Sequence, residues 1–287
     1  MRPRWSHRQR VGPAISLWTT GFRGIDGGRQ GRLAAGVVAV ALGRGQAASV
    51  TSAPAVPLDR ELSAATARGD AGRILLLLES ADVSALLQSA GHALLVVAAA
   101  GAAIASDVAR RLAGELDERG WDGDAELATL LRADPLGAAP GQRALPVELD
   151  EVADLLQGDP ELSNGGYIDL ETGVTWPSSV LDNGDDDVPN PDADPNRYLF
   201  VPNEGSREAW QDMSDFTQTL ADAALRAQFE EVISGRGAFS RFRRLLDRHD
   251  ELLSSWRIYE NERAVGRARA WLSDAGFVAV PAMPGSR

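Results

Sequence analysis

Apolar side chains recur at helical spacing between residues 58 and 134, and polar ones mark where each helix should begin and end. Asp59 and Glu61 lead into Leu62, Ala65 and Ala67, and this first helix breaks at Gly69-Asp70. Arg73-Ile-Leu-Leu-Leu-Leu-Glu79 is a second, and a further helix is expected around Val83–Ala90, running into an alanine-rich stretch. Asp107–Arg119 places Val108, Leu112 and Leu116 on one face and stops at Gly120; Gly123–Leu131 forms a short last helix. No charge occurs from Val83 to Ser106, a run long enough to span a bilayer. Gln88, Ser89, Gly91 and His92 interrupt it, and alanine contributes little transfer energy, so the run reads as packed helical core. Ala64-Ala-Thr-Ala-Arg-Gly-Asp70 has the flavour of an ankyrin-like helix pair, but a single copy makes no repeat array.

The period changes after Ala133-Asp-Pro-Leu-Gly-Ala-Ala-Pro-Gly-Gln-Arg143, which reads as a linker. Leu149–Leu156 is a short acidic amphipathic helix. Gly166-Tyr-Ile-Asp-Leu170, the turn Glu171-Thr-Gly173 and Val174-Thr-Trp176 then predict a β-hairpin, with Gly173 supplying the positive φ. Tyr198-Leu-Phe-Val201 is a third strand. Ser206 is positioned to cap a helix with Trp210, Met213, Phe216 and Leu220 on its inner face. Asp222 starts the next, with Leu225, Phe229, Val232 and Ile233, and Gly235 ends it. Phe239, Phe242, Leu245 and Leu246 stripe a third, and Trp256, Tyr259, Val265, Ala268 and Leu272 a long last one ending at Gly276.

The expected fold is therefore an α+β C-terminal domain, a small antiparallel sheet plus about four helices, preceded by an all-α domain. In residue numbers this gives a disordered basic leader at 1–57, the helical domain at 58–134, the linker at 135–144, the α+β domain at 145–278 and a tail at 279–287. The leader lacks any sustained period. Within it, Leu33-Ala-Ala-Gly-Val-Val-Ala-Val-Ala-Leu42 after an arginine-rich stretch has the layout of a secretory signal. Gly36 interrupts that core and Arg44 follows it at once, with no twin-arginine pair, so an upstream extension is the simpler reading.

Composition removes whole classes of chemistry. The 287 residues contain no cysteine and no lysine; all 29 basic residues are arginine. Disulfide scaffolds, thiolate metal sites, the P-loop lysine, Schiff bases and Ser-Lys dyads are thereby excluded. Three histidines, His7, His92 and His249, are too few for a histidine-rich metal centre, and no Gly-x-Ser-x-Gly elbow exists. The His249-Asp250 doublet resembles that of metal phosphohydrolases but lacks the further histidines they need; His92, among alanines, reads as a hydrogen-bonded core histidine. The net charge of −12 divides unevenly: +7 over residues 1–50, −5 over 51–144 and −14 over 145–287. A body this acidic repels phosphate backbones, which disfavours nucleic acid as a partner.

Five ordered elements give the second half a family likeness. They are Tyr167-Ile-Asp-Leu-Glu-Thr-Gly173, Tyr198-Leu-Phe-Val-Pro202, Ser206-Arg-Glu-Ala-Trp-Gln-Asp-Met-Ser-Asp-Phe216, Gly235-Arg-Gly-Ala-Phe-Ser-Arg-Phe-Arg244 and Trp271-Leu-Ser-Asp-Ala-Gly-Phe277. On these, residues from about 145 to 278 resemble the bacterial uncharacterised protein family numbered 0158. The resemblance implies a cytoplasmic α+β domain and no established activity. Arg236 stands where that family usually places lysine, which keeps the charge but loses a titratable amine.

Three constellations remain as candidate sites. Asp169 and Glu171 form an Asp-x-Glu pair; alternate strand residues share a face, so the pair suits a divalent metal in a phosphodiesterase or nuclease. The competing reading makes Glu171-Thr172-Gly173 simply the hairpin turn. Asp182–Asp194 packs six Asp into thirteen residues, but its spacing fails the EF-hand pattern for calcium and fits a solvated insertion. Arg236, Arg241, Arg243, Arg244 and Arg248, interleaved with Phe239 and Phe242, are the concentrated basic feature of the globular part. Turning the two Phe inward leaves several Arg to meet an acidic surface or phosphate. The favoured function is a non-enzymatic cytoplasmic binding or regulatory protein, with a protein partner at this helix; no cofactor motif and no membrane anchor is read.

Overall fold

The computed structural model describes residues 57–102, 104, 106–137, 141–157, 165–181 and 188–281. The leader expected at 1–57 lies outside them, Pro57 apart, as do residues 182–187 of the acidic loop and 282–287 of the tail. The helical first half forms as its period predicts: α1 (Leu58–Ala67), α2 (Ala71–Ser80), α3 (Leu87–Ala99), α4 (Ser106–Arg119) and α5 (Asp124–Arg132). Asp70 caps α2 by accepting the Arg73 N–H at 3.0 Å. The third helix begins at Leu87 rather than Val83, after a loop. Leu62, Ile74, Leu78, Leu94, Leu112, Leu116 and Leu127 meet in one core. No described helix is long and apolar enough to cross a membrane.

Beyond these lie β1 (Arg143–Pro146), α6 (Leu149–Leu156), β2 (Gly165–Asp169), β3 (Thr175–Pro177), α7 (Ser178–Leu181) and β4 (Tyr198–Pro202). They are followed by α8 (Arg207–Thr219), α9 (Ala223–Val232), α10 (Ala238–Leu246), α11 (Asp250–Asp274) and β5 (Phe277–Val280). The chain is thus α+β with a helical region ahead of it. Strands β3-β2-β4 make an antiparallel sheet in which Tyr167 lies opposite both Trp176 and Phe200. The hairpin closes through the Asp169 N–H to the Val174 carbonyl and the Gly173 N–H to the Asp169 carbonyl. Gly173 has φ 77°, and a Cβ there would overlap the Pro146 carbonyl oxygen, so only glycine fits.

Two strands were not predicted. β1, which begins in the expected linker, pairs in parallel with β5, expected to be the end of the α+β domain and the start of the tail. Alternation along β5 sends Val278 and Val280 into the helical core, while Phe277 and Ala279 join the core built from α6, β2, β4 and α11. One four-residue strand therefore stitches the two cores together. Two capping and packing details also differ from expectation. Ser206 sits at the N-cap of α8 but its side chain makes no capping bond. Trp210 is not on the buried face of that helix: it is 40% exposed, and its indole N–H donates to the Ile233 carbonyl at 3.1 Å. Asp222 caps α9 as expected, accepting the Ala224 and Leu225 N–H groups.

Candidate functional site

The arginine helix α10 is held by its apolar side. Ala238, Phe242, Leu245 and Leu246 are buried at i, i+4, i+7 and i+8, and Phe242 meets Phe229 and Trp256 edge-on with centroids 5.2 and 4.9 Å apart. Phe239 is half-buried beside the same core. The opposite side carries Arg236, Arg243, Arg244 and Arg248, all exposed. Among the described residues the side chains of Arg236, Arg244 and Arg248 make no ion pair, whereas Arg243 faces the carboxylate of Glu260.

Arg241 does something else. Its guanidinium folds back over the turn between α9 and α10 and donates to the carbonyls of Val232 at 3.1 Å, of Ser234 at 2.5 Å and of Arg236. These are the groups that a helix end leaves without partners, so Arg241 closes the end of α9 and fixes the turn that presents Arg236. The five arginines thus separate into one clamp and four surface cations. Trp210, lying over Ile233, adds an exposed aromatic beside that turn, which the helical stripe in the sequence had assigned to the core.

The Asp-x-Glu pair meets a guanidinium. Arg197, arriving from the segment before β4, donates from Nε to Asp169 Oδ1 at 3.0 Å and from Nη2 to Oδ2 at 2.6 Å, and its Nη1 lies 3.1 Å from Glu171. Asp169 Oδ1 also accepts the Glu171 N–H at 2.9 Å. Burial alone would raise the Asp169 carboxyl, but the Arg197 guanidinium, the Glu171 N–H and the Thr172 hydroxyl outweigh it and hold the carboxyl below its usual range. A carboxylate whose lone pairs are taken by a fork-shaped cation and a backbone N–H is a turn-former. Among the described residues no group of three or more His, Asp or Glu is placed to hold a metal.

Helix α11 carries two buried charges, Glu262 and Arg269, and pairs with a third, Asp212. On one flank Asp212 of α8, 1% exposed, accepts from Arg263 Nε at 3.0 Å and from both Nη groups of Arg267 at 3.0 and 2.8 Å. On the other flank Glu262, also 1% exposed, reaches the start of α3. It accepts the Gln88 N–H at 2.7 Å, the Ser89 N–H at 2.9 Å, the Ser89 hydroxyl at 2.8 Å and Arg119 Nη1 at 2.9 Å. Asp124 completes the group by accepting from Arg119 and from Gln88 Nε2, and Arg269 Nε donates to Gln88 Oε1 at 2.9 Å. His92, expected to be hydrogen-bonded, leaves its buried Nδ1 without a partner among the described residues. Burial and the Arg269 charge push its pKa down to about 4, so the ring is neutral near pH 7.

Glu260, half-buried on α11, is raised to about 7, first by burial and then by the Asp212 charge, with Arg243 pulling the other way. A carboxyl raised in the folded state favours folding while protonated, and that contribution fades as pH climbs from the unfolded value near 4.5 through about 7. Glu260→Gln is therefore expected to be more stable than the parent at pH 8, on the order of 1–2 kcal/mol after allowing for its exposure, with the difference vanishing near pH 4.5. Urea unfolding at the two pH values checks this; equal differences at both would place the raised group elsewhere.

Residues 164–282 match the model of the uncharacterised protein family UPF0158. That region is similar to this family. A UPF0158 protein of Pseudomonas aeruginosa is 27% identical over 138 residues, covering 46% of this chain and 84% of the relative. No solved structure matches the chain. The UPF0158 region contains the arginine helix, the Arg197 hairpin and α11, so Glu262 and Arg269 lie inside it while the groups they bond, Gln88 and Ser89, lie outside.

Proposed function

We infer that the protein is a non-enzymatic cytoplasmic binding protein that engages an acidic protein surface through α10 and the turn before it. One observation carries the reading: Arg236, Arg244 and Arg248 stand exposed without ion pairs among the described residues, in a chain whose 41 acidic residues outnumber its 29 arginines. Where acids are in excess, an arginine that finds none nearby is available to one on another molecule. Arg241 holds Arg236 in place, and half-exposed Trp210 supplies the kind of aromatic that anchors interfaces alongside arginine. Arg236 preserves the cation of the family's lysine while offering a planar fork suited to carboxylates. The helical domain at 58–134 serves as a second contact surface in this reading, and no cofactor takes part.

The test separates contact from scaffold. The triple variant Arg236→Gln, Arg244→Gln, Arg248→Gln should melt within about a degree of the parent, because exposed charges contribute little to stability. In quantitative affinity capture from native cells it should lose the acidic proteins that the parent retains at low salt and releases at high salt. Arg241→Gln should instead lower the unfolding free energy by roughly 1–3 kcal/mol by stripping the cap from α9. If the triple variant retains the same acidic proteins, α10 is not the contact surface.

A further inference from the structure

The outer side of the small sheet presents an open edge next to an aromatic row. Because Tyr167 pairs with both Trp176 and Phe200, the three rings share one face across three strands, and Tyr167 and Phe200 touch with centroids 5.2 Å apart. The inner face is closed: Gly166 leaves just enough room for Leu155 of α6, and Ile168 and Val201 are fully buried. Phe200, by contrast, is 45% exposed.

Among the described residues, the strand that carries Phe200 has no partner strand on its far side. The Leu170 N–H donates to the Arg197 carbonyl at 2.8 Å, and in an antiparallel ladder such pairs alternate, so Leu199 and Val201 also bond β2. Tyr198 and Phe200 therefore turn their N–H and C=O groups away from the sheet. An edge of this kind is a template for another strand. Its surroundings are acidic: exposed Asp192 and Asp194 lie before β4 and exposed Glu204 lies after it, while Arg197, immediately before β4, is already engaged by Asp169 and Glu171. Glu204 sits near Glu208 and Asp122, with Arg267 opposing it.

We propose that the β4 edge binds an extended basic peptide segment of a partner protein, which adds as a fourth strand, covers Phe200 with an apolar side chain and sets arginine or lysine against Asp192, Asp194 and Glu204. Main-chain bonds to Tyr198 and Phe200 supply the affinity common to such strand addition, and the acids supply the selection. A second copy of this chain would bring the same acids face to face, and a phosphate backbone would meet them directly; like charges oppose both. This surface is separate from α10 and opposite to it in sign.

The probe is a blocked octapeptide with a Thr-Val-Thr-Val centre flanked by two arginines at each end, compared with its counterpart carrying glutamates at the ends. With the full chain at low salt, calorimetry should show the basic peptide binding and the acidic one not. Phe200→Ala should weaken binding about tenfold by removing the ring. Phe200→Pro should weaken it further, because it also removes an outward N–H that the sheet does not use. Asp192→Asn with Asp194→Asn should weaken binding and flatten its salt dependence, in a pair of exposed positions that leave the fold alone. Equal binding of both peptides, or unchanged binding in Phe200→Ala and in the Asp192/Asp194 pair, overturns the proposal. So does a dimer seen in sedimentation that Phe200→Pro dissolves, or tight binding of oligothymidylate that Phe200→Ala removes.

Discussion

Glu262→Ala is expected to lower the unfolding free energy by about 3–5 kcal/mol, the usual cost of breaking a buried ion pair from one side. The carboxylate does two things at once. It neutralises Arg119, and it accepts the first N–H groups of α3, a helix whose own N-cap residue, Leu86, offers no side-chain bond. Helix starts of this kind are normally capped by a residue in the adjoining turn. Here the cap is delivered from α11, 174 residues along the chain. Removing it leaves Arg119 with only Asp124 and leaves two backbone donors, one buried and one part-buried, without their acceptor. Glu262→Gln keeps one acceptor oxygen, so its loss should be smaller, with the amide nitrogen forced against donors. Urea denaturation followed by circular dichroism reads both. A loss under 1 kcal/mol in Glu262→Ala would show that α3 does not depend on α11 for its start.

That bond also marks the limit of what the sequence could reveal. Helices, the hairpin and the Asp222 cap are local: period 3.6, a turn glycine and an Asp before an apolar run are visible within a dozen residues. The family likeness, too, rests on ordered local motifs. β1 and β5 were invisible because Arg-Ala-Leu-Pro and Phe-Val-Ala-Val each read as a chain end or a linker until paired with one another across the whole α+β region. The same holds for the candidate sites. The exposure of Arg236, Arg244 and Arg248 follows from the stripe of Phe242, Leu245 and Leu246 between them. The inward turn of Arg241 depends on three carbonyls of the preceding turn, and the binding of Asp169 depends on Arg197, 28 residues later. Composition did contain one hint. In a chain without lysine, arginine must fill structural as well as surface roles, and Arg197, Arg241 and Arg267 each donate to two or more groups or through two nitrogens of the fork.

Gly266→Ala provides the sharpest test of how the two halves meet, because local and tertiary physics predict opposite signs. Gly266 lies in the interior of α11, where alanine should stabilise a helix by about 1 kcal/mol. Yet the backbone of α11 at this point touches the turn between α4 and α5: a Cβ on Gly266 would overlap the Asp122 carbonyl oxygen, and one on Gly123 would overlap the Gly266 carbonyl. Neither obstacle is a flexible side chain, so relief requires α11 to move off α5, loosening the Arg119–Asp124–Glu262 group at the same seam. The expected net loss is about 3 kcal/mol, at the upper end for overpacking. Gly114 supplies the matched control. It too is helical, within α4, but a Cβ there meets nothing within 4 Å, so Gly114→Ala should raise stability by roughly 0.5–1 kcal/mol. If both substitutions stabilise, the close approach of α11 to the α4–α5 turn is wrong; if Gly266→Ala alone destabilises, and adds less than its full cost in a Glu262→Ala background, the two residues act through one shared contact.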